Sequence, residues 1–193
     1  MRRARGEFVA LLDVDTVAAA GGVRDAGGAV ARRARGWVWS GRSSSARTAS
    51  CSTAAGAFRR SSTSSCRRLP ARFGRAVADD VELRWWDHAG VREVDYVIGA
   101  CQLIRRSALD EVGLLDEHIF YGPEDVDLCL RMHRAGWQVE YVPEAVVMHL
   151  ERRITRKLLS TLTVRHVYGL GYFFWKHRYL VTRPTVTAMR RAA

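Results

Sequence analysis

A chain of 193 residues is the size of one ordinary domain. With 48 % hydrophobic and 26 % charged residues it has a globular composition, which excludes a collagen, a coiled coil and a wholly disordered chain. The net charge of +11 suggests a nucleic-acid binder until it is located. From Ala26 to Ala78 there are 11 Arg and no Asp or Glu, while the remainder carries 20 charges of each sign. The excess therefore belongs to one window that has no recognisable nucleic-acid reading motif, and no nucleic-acid partner is expected.

The cysteines Cys51, Cys66, Cys101 and Cys129 form no C-x-x-C pair. That argues against a zinc site or a disulfide scaffold and for a reducing compartment. No apolar run approaches the roughly 20 residues that span a bilayer. The run from Phe8 to Leu12 behind the basic N-terminus is cut by Asp13 and Asp15, unlike a signal peptide.

In chain order, residues 1–16 read as a buried strand that ends in two carboxylates, Asp13 and Asp15. Residues 17–80 are rich in Arg, Ser, Ala and Gly and lack apolar periodicity, so the segment is expected to be disordered or poorly packed, with Trp37 and Trp39 as local anchors. Residues 81–150 have the pattern of an α/β protein. Strands are expected at 81–86 and 94–98, and Ser107 with Asp110 and Glu111 suggests a capping box on a short helix closed by Gly113. A second helix is expected over 125–135, stopped by Gly136, then strands at 138–142 and 145–149 separated by Pro143. Residues 151–193 form a basic, aromatic, helical tail.

Three places carry chemistry. Carboxylates at the C-terminal end of a buried strand stand where α/β sheets bind ligands, and their hard oxygens suit Mg²⁺ or Mn²⁺. Asp13-Val14-Asp15 alone, however, reads first as a solvated turn. Glu124, Asp125 and Asp127 cluster at a helix start, where acids favour the positive end of the helix dipole. One of them placed beside a hydroxyl is a general base. The preceding Phe120-Tyr121-Gly122-Pro123 suits a wall beside a sugar. His149 closes an apolar strand and becomes a metal ligand only if that strand reaches Asp15.

Taken in order, VDYVIGACQLIRR at 94–106, VGLLDE at 112–117, FYGPEDVDLCLR at 120–131, AGW at 135–137, Tyr141 to Pro143 and His149 resemble the C-terminal half of a family 2 glycosyltransferase of the GT-A fold, rhamnosyltransferase-like. Gly6 to Thr16 resembles the strand that ends in that family's D-x-D motif. The resemblance implies an α/β chain with a partial GT-A mixed sheet flanked by helices, lacking the N-terminal nucleotide-binding part, with residues 17–80 unlike the family. An acid-free stretch of that kind is what a GC-rich gene read out of frame would give. The implied activity is inverting transfer of a sugar from a nucleotide diphosphate-sugar to a saccharide or lipid-linked acceptor, in bacterial cell-wall or surface polysaccharide synthesis. By the resemblance Asp15 and His149 hold Mn²⁺ or Mg²⁺, Asp125 is the catalytic base and Glu124 supports it. Asp13, Gly99, Ala100, Asp116 and Asp127 line the donor and acceptor.

The tail around 154–180 mixes aromatics with bases, which fits packing on the core and fits contact with an anionic membrane. A cytoplasmic place, at the inner face of the plasma membrane, is expected. A non-catalytic GT-A fragment is the alternative reading. A sheet without its first strands is also expected to expose apolar surface and to be poorly soluble.

Overall fold

The structure, a computed structural model, describes residues 1, 3–14, 16–18, 38–45, 48–52, 55–56, 86–120, 122–149 and 161–178. Its elements are β1 (Phe8–Leu12), β2 (Thr16–Ala18), β3 (Val38–Ser45), β4 (Thr48–Ser52), β5 (Ala55–Gly56), β6 (Arg92–Glu93), β7 (Tyr96–Val97), β8 (Cys101–Arg105), α1 (Arg106–Val112), α2 (Glu124–Arg134), β9 (Val139–His149) and α3 (Thr161–His177). The main sheet runs β1-β8-β3-β9-β2, with β4 beside β3 and β6 beside β9. Only the β3–β9 ladder among the described strands is parallel, so the sheet is mixed.

β8 shows why its sequence is apolar without alternation. Cys101 to Ile104 are all buried, so both faces of the strand are covered. Its buried polar member, Gln102, donates from Nε2 to the Val97 carbonyl at 3.1 Å. The main core joins Val9, Val97, Ile104, Leu128, Met132, Val139 and Tyr141. Each such side chain contributes roughly 1.5–3 kcal/mol when fully buried. Burial pushes the Cys101 thiol up to about 11 and the Cys129 thiol up to about 12, so both act as apolar packing.

Several expected boundaries differ. Pro143 does not split two strands: β9 is continuous from Val139 to His149. The β3–β9 register jumps from Ser40 opposite Tyr141 to Arg42 opposite Val146, and Pro143 falls inside that irregularity, where no ladder donor is required of it. The extended stretch expected at 94–98 is a strand only over β7. Of the strand expected at 81–86, residues 81–85 lie outside the described residues and Trp86 is a bend.

No Ser107 capping box forms, since α1 starts one residue earlier and its cap residue Arg105 makes no side-chain cap bond. The N-terminal segment secures that junction instead. The Arg106 amide donates to the Glu7 carbonyl at 2.8 Å, and its guanidinium donates to the Gly6 and Ala4 carbonyls. Within 17–80, strands β2 to β5 form. β3 lies between β8 and β9, and there backbone pairing does not depend on apolar side chains. Trp39 of β3 pairs with Leu103 and Glu140, while Trp37 lies outside the described residues.

α2 lies between the sheet and α3. Leu128, Cys129 and Met132 enter the main core, whereas Leu130 joins Ile119 and Phe173 in a second cluster under α3. Asp127 binds the two helices together. Fully buried, it accepts from Arg131 Nε at 2.8 Å, Lys176 Nζ at 2.7 Å and His177 Nε2 at 2.7 Å. Arg134 Nη1 lies 2.8 Å from His177 Nδ1, and a guanidinium can only donate, which puts the ring proton on Nε2, facing Asp127. Arg131 also donates to the carbonyls of Val112, Gly113 and Leu114, fixing the loop between α1 and α2. Removing one partner of such a buried ion cluster typically costs ~3–5 kcal/mol.

Candidate active site

β1 ends at Leu12, and Asp13 follows it in the open. The Asp13 amide donates to the Ala100 carbonyl at 3.2 Å, and the Thr16 hydroxyl donates to the same oxygen at 3.1 Å. The Thr16 amide donates to the Asp13 carbonyl at 3.1 Å, which turns the chain after β1. One residue before Ala100, the Gly99 amide donates to Asp125 Oδ2 at 3.0 Å. The pair Gly99-Ala100 therefore fastens the end of β1 to the first turn of α2. A Cβ built on Gly99 would meet nothing within 4 Å, so its missing side chain borders open space.

α2 begins at Glu124, not at Asp125, and Pro123 in the cap position offers no side-chain bond. Asp125 sits one position inside the helix, where its Oδ1 accepts the Val126 amide at 2.7 Å. Burial raises the Asp125 carboxyl to about 6, the Asp13 charge adding to the rise and the Val126 and Gly99 amides opposing it. Burial also raises Glu124, to about 7, with the charges of Asp125 and Asp13 adding to it. Glu124 Oε2 is buried and accepts no hydrogen bond among the described residues.

The structure thus brings Asp13, Gly99, Ala100, Glu124 and Asp125 to one place. Asp116, in the loop between α1 and α2, and Asp127, on α2, are instead bonded to α3. Asp116 Oδ2 accepts Lys176 Nζ at 2.7 Å, and Oδ1 accepts the amide and ring nitrogen of His118 at 3.0 and 2.9 Å. Burial pushes both carboxyls up, but the Lys176 and His118 bonds at Asp116 and the His177, Lys176 and Arg131 contacts at Asp127 hold them well below the carboxylate range. Asp15 lies outside the described residues, as do Tyr121 and the side chain of His149. The backbone of His149 pairs with Thr16, the residue after Asp15, so the sheet carries β9 to the end of the D-x-D segment.

Carboxylate oxygens with an imidazole form a donor set that suits Mn²⁺ or Mg²⁺, and the exposed Asp13 at this strand end fits it. Among the described residues no three His, Cys, Asp or Glu groups are placed to hold a metal. The sequence reading did not single out His166, Lys176 or His177. The i,i+4 spacing of Asp127 and Arg131 was visible along the chain, but the partners from α3 were not.

Residues 1–169 match the family described as glycosyltransferase-like family 2. A Mycobacterium tuberculosis protein named N-acetylglucosaminyl-diphospho-decaprenol L-rhamnosyltransferase is 45 % identical over 76 residues, covering 39 % of this chain and 25 % of that protein. The rhamnosyltransferase WbbL of Escherichia coli is 31 % identical over 90 residues, covering 47 % of this chain and 34 % of that protein. The chain thus aligns with about a quarter to a third of the length of these relatives. A crystal structure of GalNAc-T7 with UDP, GalNAc and Mn²⁺ superimposes with a TM-score of 0.56 at 14 % identity, covering 98 % of this chain and 38 % of that one, which shows a shared GT-A fold.

Glu124 and Asp125 hold their protons more tightly folded than unfolded. Between about pH 4 and about pH 7 these two groups hold extra protons in the folded chain, so their contribution to stability falls as the pH rises through that window, while His133, lowered by burial, works in the opposite sense. Asp116 and Asp127, held low, act below it. In urea melts at about pH 5 and about pH 8, Glu124→Gln should lose roughly 1–3 kcal/mol of the stability that the wild type has at pH 5 relative to pH 8. An equal difference in both proteins contradicts the assignment.

Proposed function

The chain belongs to glycosyltransferase-like family 2, and we propose that it transfers a sugar from a nucleotide diphosphate-sugar to a hydroxyl of a saccharide or lipid-linked acceptor, with inversion, in cell-wall or surface polysaccharide assembly. The observation that carries this reading is the pair of raised carboxyls, Glu124 and Asp125, at the start of α2, fastened through Gly99-Ala100 to the end of β1.

In this reading Asp125 is the general base. The Gly99 and Val126 amides orient its carboxylate, and its raised range keeps it basic enough to take a proton near neutrality. It accepts the proton of the acceptor hydroxyl while that oxygen attacks the anomeric carbon from the face opposite the departing diphosphate, which inverts the centre. Glu124 holds the acceptor beside it. The open space at Gly99 receives the donor sugar, with Ala100 as its floor, and Asp13 faces the nucleotide. Asp15 and His149 would hold Mn²⁺ or Mg²⁺, which when bound offsets charge on the leaving diphosphate. Asp116 and Asp127 serve as positioning residues, acting through the helix they hold in place.

The base must be ionised to work, so nucleoside diphosphate release in the presence of Mn²⁺ should rise with pH through about 6 to 7. Asp125→Asn should lower that rate by about 10²–10⁴-fold. A variant that turns over within about twofold of the wild type would remove Asp125 as base.

The lipid-linked acceptor and a place at the inner face of the plasma membrane draw support from α3. Its packed face is Gly169, Phe173 and His177. The opposite face exposes Val164, Val167, Tyr168 and Trp175, the last 75 % accessible, with Arg165 and Arg178 exposed beside them. Exposed apolar and aromatic residues flanked by cations suit the headgroup region of an anionic bilayer. No helix among the described residues is long and apolar enough to cross a membrane. The chain should float with phosphatidylglycerol vesicles, and Val164→Ser with Trp175→Ser should return most of it to the bottom of the gradient. A wild type that stays wholly at the bottom rules out the membrane contact.

A further inference from the structure

α3 carries Arg165 near its start and Lys176 near its end, roughly 16 Å apart along the axis at ~1.5 Å per residue. Lys176 is taken up by Asp116 and Asp127. Arg165 is exposed, and its guanidinium carbon lies 4.6 Å from the centre of the Phe120 ring, which is itself 62 % accessible. Two residues on, Gly122 packs against α3: a Cβ built on it would come 3.3 Å from His166 Nδ1 and 3.9 Å from Glu124 Oε2. The start of α3 therefore meets the 120–123 loop close beside the Glu124 carboxylate.

At about 100° per residue, Arg165 falls on the flank of α3. On one side of it is the exposed row of Val164, Tyr168 and Trp175, and on the other the packed face of Phe173 and His177. From α3 towards α2 the surface thus presents three chemistries in order. First comes an apolar row, then a cation seated on an aromatic ring, then the two raised carboxyls at the start of α2.

We propose that Arg165, held by Phe120, binds the phosphate of an acceptor whose sugar is joined to its lipid through a phosphate or diphosphate, and so selects that acceptor class. The inference rests on the sugar-transfer reading above and deepens it by naming the bridge. A lipid-linked saccharide is ordered as tail, bridge and sugar. With the tail along Val164 and Tyr168 and a sugar hydroxyl at Asp125, the bridge falls at the Arg165 flank. A phosphate there accepts charge-assisted hydrogen bonds from the planar guanidinium, and a neutral glycosidic bridge does not. The guanidinium has five N–H donors, more than one ring contact uses. Its contact with Phe120 also restrains a long side chain before the ligand arrives, which lowers the ordering cost of binding.

The test measures nucleoside diphosphate release by the purified chain in micelles of an uncharged detergent, with a panel of nucleotide diphosphate-sugars as donors. The acceptors are octyl glycosides and the same sugars joined to octyl through a diphosphate. The wild type should favour the diphosphate acceptor in kcat/KM by about tenfold or more. Arg165→Gln should reduce that preference about tenfold, the loss expected for a hydrogen bond to a charged group. Arg165→Lys should keep part of it, having the charge without the fork. A folding defect lowers turnover with both acceptors together, so the ratio isolates the phosphate contact. A wild type without the preference, or an Arg165→Gln variant that retains it, overturns the assignment and leaves sugar transfer standing. Weaker flotation of that variant with phosphatidylglycerol vesicles, its preference intact, makes Arg165 a bulk headgroup contact and overturns it equally. A wild type that releases no nucleotide from any donor overturns both.

Discussion

The hydrogen bond from the Gly99 amide to the Asp125 carboxylate fixes the candidate site, because it joins two parts of the chain that the sequence keeps apart. Gly99 leads directly into Ala100, whose carbonyl takes the Asp13 amide and the Thr16 hydroxyl. A two-residue segment thus sets the distance between the acids at the end of β1 and the acids at the start of α2. The rest of the fold serves that setting. β8 carries Ala100 onward into the core, β1 pairs with β8 along its length, and α2 is wedged between the sheet and α3.

Four acids end with opposite chemistry, and their neighbours decide which. Asp116 and Asp127 meet Lys176, Arg131 and the histidines His118 and His177, so they remain ionised and act as struts. Glu124 and Asp125 are partly buried, and they feel the charge of Asp13 as well. Their proton affinity rises into the range useful for proton transfer near neutrality. One ionic network holds α3 in place, and among the described residues Glu124 and Asp125 stand outside it, which leaves those two groups available for chemistry.

Much of this was legible in the sequence because it rests on local signals. The apolar run ending at Asp13 gave β1, Gly113 marked the end of α1, and the acid-rich FYGPEDVD segment located the first turn of α2. The errors came where tertiary context outweighed local rules. Pro143 usually interrupts a strand, yet a register irregularity in the β3 ladder accommodates it within β9. Ser107 has a capping pattern, yet the backbone of residues 4–7 takes hold of Arg106 first. β3 could not be read from periodicity, because its place between β8 and β9 comes from backbone pairing. Asp127 looked like a site acid, and its partners Lys176 and His177 lie on a helix far along the chain. The meeting of His166 with Gly122 has no sequence signal at all, since it depends on how α3 docks.

The coupling of the two acid clusters through Gly99-Ala100 is best tested by amide hydrogen exchange, residue by residue, in the wild type and in Asp125→Ala. The Gly99 amide should be protected in the wild type and should exchange about tenfold faster or more in the variant. The Asp13 amide should follow it, while the Val94 amide, bonded to the Val139 carbonyl at 2.9 Å, should keep its protection. A Gly99 amide that exchanges freely in the wild type, or that is indifferent to the loss of the Asp125 carboxylate, would contradict the account.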